Sequence, residues 1–98
     1  MSAPTELLAN AREATSFLKA ISNEHRLMIL CLIADGEQTV SEIEAALGLR
    51  QSTPSQHLGR LREDGLVVAR REGKSVHYRL ASDDVREIVN LLHRMFCR

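Results

Sequence analysis

The apolar residues of this chain fall into periods that change along its length, and the changes mark its elements. Leu7, Ala11, Ala14, Leu18 and Ile21 recur at spacings of 4, 3, 4 and 3, which is one apolar stripe on a helix from about Thr5 to Ala20. Ser22 or Asn23 can cap a second helix that runs to about Asp35 and stops at Gly36. Its stretch from Leu27 to Ile33 is apolar all round, which predicts a buried spine. Gln38, Thr39 and Val40 read as a very short strand. Ser41, with Glu44 three residues later, reads as the capping box of a third helix with Ile43, Ala46 and Leu47 inward and Gly48 at its end. Ser52 opens a fourth helix with Pro54 in its first turn, where a missing N–H costs nothing. Leu58 and Leu61 are its core residues, and Gly65 closes it.

The period then drops to two. Leu66 to Arg70 and Ser75 to Leu80 read as paired strands around a turn at residues 71–74, where Gly73 supplies the permissive backbone. Ser82 or Asp83 caps a last helix with Val85, Ile88, Val89, Leu92, Met95 and Phe96 inside. The predicted fold is therefore mainly α with a small β-hairpin, in the order helix, helix, short strand, helix, helix, strand, strand, helix. Two short helices joined by a Gly-containing turn, about 41–64, form a helix-turn-helix unit, and the hairpin at about 66–80 is its wing. The 98 residues make one winged helix-turn-helix domain, 1–98, too short for a separate effector domain.

Composition adds little: 44% hydrophobic and 27% charged is ordinary for a globular chain. No apolar run reaches the ~20 residues of a membrane span, and Met1 to Asn10 have neither the basic nor the apolar region of a signal peptide. A cytoplasmic location is the expectation. Net charge is zero, but its distribution is uneven. From Arg50 to Arg79 seven basic residues (Arg50, Arg60, Arg62, Arg70, Arg71, Lys74, Arg79) face Glu63, Asp64 and Glu72, a net of +4, whereas residues 1–49 carry a net of −4. A basic segment on an acidic chain is the footprint of a DNA reader.

The fourth helix supplies the chemistry to match. Its outward positions are read as Gln51, Ser52, Thr53, Ser55, Gln56, His57 and Arg60. Small polar residues at a helix start let it enter the major groove, where Gln, Ser and Arg bond base edges and phosphates. Arg70, Arg71 and Lys74 on the wing are placed to reach the flanking backbone or minor groove. The expected partner is an operator in double-stranded DNA. Nothing supports an enzyme: there is no Ser/His/Asp elbow, no Gly-rich phosphate loop and no paired carboxylates for a cleft, hence no catalytic residue and no cofactor. A pure protein-interaction module is disfavoured by the polar helix start and the basic wing.

Ser22-Asn-Glu-His-Arg-Leu-Met-Ile-Leu30, Ser52-Thr-Pro-Ser-Gln-His-Leu58, Leu61-Arg-Glu-Asp-Gly-Leu-Val67 and Arg71-Glu-Gly-Lys74 with Tyr78-Arg79-Leu80 resemble the ArsR/SmtB family. The resemblance runs from about residue 6 to 97. It implies a homodimeric winged-helix repressor that leaves its operator when an inducer binds, with dimerisation helices at about 5–20 and 83–97. Two-fold symmetry then sets the two recognition helices one DNA turn apart, roughly 34 Å.

Metal is the inducer to weigh first. A thiolate site needs several Cys closely spaced on one helix, and the matching helix, Ser41 to Leu47, has none. The family's last-helix zinc site begins Asp-x-His and adds a later His-x-x-Glu/His; here the start is Ser82-Asp83-Asp84 and only His93 follows. His25, His57 and His77 lie in separate elements, so no metal residue is assigned. Two cysteines remain, Cys31 in the second helix and Cys97 at the end of the last, and spacing alone leaves them either inert or a redox pair. Here the resemblance narrows to a BigR/SqrR/HlyU-like branch that carries one Cys in each of these two helices. It implies that reactive sulfur species, and in some members peroxide, convert the Cys31/Cys97 dithiol to a disulfide or polysulfide bridge, releasing sulfide-detoxification genes. The alternatives are a metal-responsive repressor and a redox-insensitive regulator or interaction module.

Overall fold

The computed structural model describes residues 3–48 and 52–96. Five helices and three short strands follow in the order α1 (Pro4–Ile21), α2 (Glu24–Ala34), β1 (Gln38–Thr39), α3 (Val40–Leu47), α4 (Ser52–Glu63), β2 (Val67–Glu72), β3 (Ser75–Leu80) and α5 (Asp83–Phe96). The sheet is antiparallel with β3 in the centre, β1-β3-β2. This is the winged helix-turn-helix architecture that the hydrophobic periods predict.

The core is built where α2 crosses the other elements. Ile29, Leu30 and Ile33 of α2 are sealed against Ile43 of α3, Leu58 and Leu61 of α4, Leu66 and Val67 of β2, Leu80 of β3, and Val85 and Val89 of α5. Polar side chains fix the helix ends around it. Asn23 caps α2 by accepting from the Arg26 amide at 3.1 Å. Arg26 donates through its guanidinium to the carbonyls of Lys19 and Ala20 at the end of α1, where the Lys19 oxygen also accepts from the Ser22 amide. Arg86 of α5 donates to the Ala34 carbonyl at 2.6 Å and so ties α5 to the end of α2, where a cation also suits the helix dipole. Ser82 caps α5 through the Val85 amide.

The structure differs from the sequence reading at several ends. The capping box of α3 is Thr39 with Glu42, not Ser41 with Glu44. The Thr39 hydroxyl accepts from the Glu42 amide at 3.2 Å, and the Glu42 carboxylate accepts from the Thr39 amide at 3.0 Å. Both pairs have the required spacing; Thr39 prevails because, as the last residue of β1, it already holds the extended backbone a cap needs. Consequently Ile43 is buried but Ala46 faces solvent. The wing is longer than expected: β2 runs to Glu72, and the register Glu72↔Ser75 leaves a two-residue turn, Gly73-Lys74. Gly73 has φ +61°, the positive angle that a type II′ hairpin demands of its first turn residue.

The largest departure concerns α1 and the end of α5. Residues 4–16 of α1 are exposed throughout, and only Ala20 and Ile21 of its last turn are buried. The stripe residues Leu7 and Leu18 stand 62% and 59% exposed. Met95 and Phe96, expected inside, are also exposed, Phe96 at 75%. The radius of gyration, 14.7 Å, exceeds the ~13 Å usual for a chain of this length because α1 projects from the body. Among the described residues no helix is long and apolar enough to cross a membrane.

Candidate nucleic-acid interface

Helix α4 is anchored by Pro54, Leu58 and Leu61, all buried at the spacing of one helical face. Ser55, Gln56, Gly59 and Arg60 therefore stand on the opposite, exposed face. Nothing lies within 4 Å of the place where a Cβ on Gly59 would sit, so the middle of this outer face is low and open. Arg60 reaches back to Asp64, one turn on, at 2.6 Å. Ser52 and Thr53 begin the helix, with nothing described of their side chains, and Gln51 lies outside the described residues.

His57 is not outward as the sequence reading expects. It is half-buried, and its ring packs against His25 of α2 with centroids 5.5 Å apart and planes at 68°. Positions 54, 57, 58 and 61 together make the broad inner stripe of an amphipathic helix, and His57 is its polar edge. The contact brings His25 and His57 together although they lie in separate elements.

The wing divides its cations into two kinds. Arg71 and Lys74, at the tip, are exposed and make no ion pair among the described residues. Arg70 is clamped instead. Its guanidinium pairs with Glu37, just before β1, and with Glu72 at 2.8 Å. His77, directly across from Arg70 in the register, stands 3.7 Å from Glu37 and 4.0 Å from Glu72. Arg70 reads from the sequence as a residue for DNA; its two carboxylates give it a structural employment, the bracing of β2 against the segment that enters β1. Sequence reading misses Glu37, Glu72 and His77 because the cluster appears only once the strand register is known.

The Arg70 guanidinium, by hydrogen bond first and charge second, holds the Glu37 and Glu72 carboxyls below the usual carboxylate range. A lowered carboxylate stabilises the fold above its ordinary pKa and loses that contribution as pH falls through the lowered one. The brace is thus complete at neutral pH and fails only in acid. The side-chain carboxyl carbon shifts of Glu37 and Glu72, followed by NMR from pH 7 to pH 2, are expected to titrate below the ordinary carboxylate range; titration of both in the ordinary range contradicts the assignment.

Away from this face, Cys31 is half-buried and lines a cavity of about 480 Å³ between α2 and α5. Leu27, Met28, Leu32, Leu47, Asn90 and His93 share its wall. Cys97 lies outside the described residues. Among the described residues no three His, Cys, Asp or Glu side chains gather closely enough to hold a metal ion.

Known proteins share this arrangement. Residues 23–68 match the family described as bacterial regulatory protein, arsR family. The transcriptional activator HlyU of Vibrio cholerae is 46% identical over 95% of this chain and 86% of its own length. The chain belongs to the arsR family. The biofilm growth-associated repressor of Agrobacterium fabrum is 46% identical over 89% of this chain and 74% of its own. The structure of reduced Vibrio cholerae HlyU superposes with a TM-score of 0.89 over 95% of this chain and 98% of that one. A homodimeric winged helix-turn-helix DNA-binding domain from Mycobacterium bovis, 37% identical, superposes with a TM-score of 0.81, covering 97% of this chain and 86% of that one. This arsR-family chain is accordingly a transcriptional regulator with a DNA-binding winged helix, and its relatives are regulators rather than enzymes.

Proposed function

We propose that this arsR-family protein acts as a homodimeric repressor of double-stranded operator DNA, switched by a Cys31/Cys97 dithiol that reacts with persulfides. The observation that carries the DNA reading is the exposed polar face of α4 beside a wing tip whose cations make no ion pair among the described residues. On this reading Gln51, Ser52, Thr53, Ser55, Gln56 and Arg60 form the face that enters the major groove, while Arg71 and Lys74 meet phosphates. Dimerisation follows from what α1 and α5 leave uncovered. Leu7, Leu8, Leu18, Leu91, Met95 and Phe96 are large apolar side chains in water, and an apolar patch of that kind marks an interface. A second copy, as in the homodimeric relative from Mycobacterium bovis, covers both.

Support for the thiol switch comes from the position of Cys31. It sits on α2, which packs on α3, α4 and α5, so a strain at this thiol reaches the helix-turn-helix directly. The Cys31 thiolate attacks the outer sulfur of a persulfide RSSH; the S–S bond breaks, RSH leaves, and Cys31 becomes a persulfide. The Cys97 thiolate then attacks the Cys31 sulfur and expels hydrogen sulfide, closing a disulfide. One persulfide supplies both oxidising equivalents, and each further one inserts a sulfur with release of RSH. The linked helices favour a dimer that fits DNA poorly, and the regulated genes, those of sulfide detoxification, are freed.

Salt dependence of DNA binding tests the interface. Each phosphate that a basic side chain neutralises contributes about 0.9 to the slope of log K against log salt. Arg71→Gln is expected to lower the slope by about 0.9 for each phosphate that Arg71 neutralises, whereas Arg70→Gln, removing a cation already held by two carboxylates, is expected to leave it unchanged. Equal decreases for both variants would contradict the division of the wing, and no specific binding at any salt would contradict the DNA reading.

A further inference from the structure

Helix α2 touches the recognition helix through more than its apolar core. His25, in the first turn of α2, meets His57 of α4 edge to face, and both rings are half-buried. Pro54, Leu58 and Leu61 hold α4 along its inner stripe by apolar contacts. The ring pair is the polar contact on the flank of that stripe, adjacent in sequence to Gln56 and two residues from Ser55 on the outer face. It is therefore placed to fix the angle at which that face is presented. We propose that the neutral His25–His57 contact is a positioning device for the recognition helix, and that acid releases it and weakens DNA binding.

The charges around the pair support this sign. Those that act on His57 are Arg26 and, once protonated, His25, both from α2. Arg26 is itself anchored on the Lys19 and Ala20 carbonyls at the end of α1 and cannot swing away without uncapping that helix. Among the described residues no carboxylate forms an ion pair with either ring, and Glu24, which shares a groove wall with His25 on α2, stands alongside without pairing. Burial first, then Arg26, then His25 push His57 below its ordinary range. A base lowered in the fold contributes fully above its ordinary pKa of about 6.5 and loses that contribution as pH falls through and below it. Ordinary electrostatics predicts the reverse trend, since histidines that gain charge near phosphates tighten DNA binding.

The test measures affinity by fluorescence anisotropy for a duplex selected by the protein from a random library, at constant ionic strength, at pH 7.5 and 5.5. His57 is left intact because it adjoins the proposed DNA face; His25 is varied. The unmodified protein is expected to bind about two- to tenfold more weakly at pH 5.5, the scale of one aromatic pair. His25→Ala is expected to bind more weakly at pH 7.5 by a similar factor and to show no further loss at pH 5.5. His25→Phe, which keeps a ring but cannot become charged, is expected to retain the pH 7.5 affinity and to lose less in acid. Thermal melts at both pH values separate release of α4 from global unfolding. Unchanged or tighter binding of the unmodified protein at pH 5.5 overturns the proposal, as does a His25→Ala protein that matches it at both pH values.

Discussion

Treatment of the reduced protein with an organic persulfide is expected to weaken its operator affinity about 5- to 150-fold, the usual range of coupling between two sites on one protein. Cys31→Ser and Cys97→Ser are each expected to bind operator like the reduced protein and to lose that response. The argument rests on where Cys31 sits. Its cavity wall is shared by His93 and Asn90 of α5 and by Leu47 at the end of α3, and Cys97 follows His93 by four residues in the sequence. A bond from Cys31 to Cys97 therefore joins α2 to the end of α5 beside the helix-turn-helix. A plain disulfide needs Cα atoms within about 7 Å; inserted sulfurs relax that demand. Serine keeps the size of the side chain and removes the nucleophile, so a Cys31→Ser protein that still releases DNA on treatment contradicts the switch.

Leu18→Glu is expected to split the proposed dimer and to lower operator affinity about 10²- to 10⁴-fold, the gain that joining two binding modules brings over one. Leu18 is 59% exposed in the single chain, so a charge there costs the protomer little. It lines a groove of about 840 Å³ with Ile21, Leu27 of α2 and Leu92 of α5, and covering that groove with a second copy buries the carboxylate without a partner. Sedimentation and anisotropy on the same sample check both halves of the expectation. A variant that remains dimeric places the interface elsewhere.

Periodicity makes most of the fold legible. The switch of period from 3.6 to 2 after Gly65, the polar start of α4 and the glycines at 48, 65 and 73, all with positive φ, are enough to order the elements. What stays hidden depends on contacts between elements. Thr39 and Ser41 are equivalent as caps until the backbone of β1 is known. His57 looks polar and outward until Pro54, Leu58 and Leu61 define the inner stripe that it borders. Arg70 is one more basic residue of the wing until the register sets it opposite His77 and beside Glu72. The stripe on α1 is plain in the sequence, but a sequence does not say whether such a face meets its own chain or another, and here its own chain covers only the last turn.

The switch between thiol and DNA is the centre of the account, and peptide mass spectrometry of persulfide-treated protein tests it most directly. Digestion without reductant is expected to yield one cross-linked pair of peptides containing Cys31 and Cys97, with a mass two hydrogens below the sum of the two peptides or higher by whole sulfurs. Its appearance is expected to parallel the loss of operator binding, and reductant is expected to reverse both. A protein that releases DNA while Cys31 and Cys97 remain separate thiols, or one that forms the link and stays bound, would contradict the account.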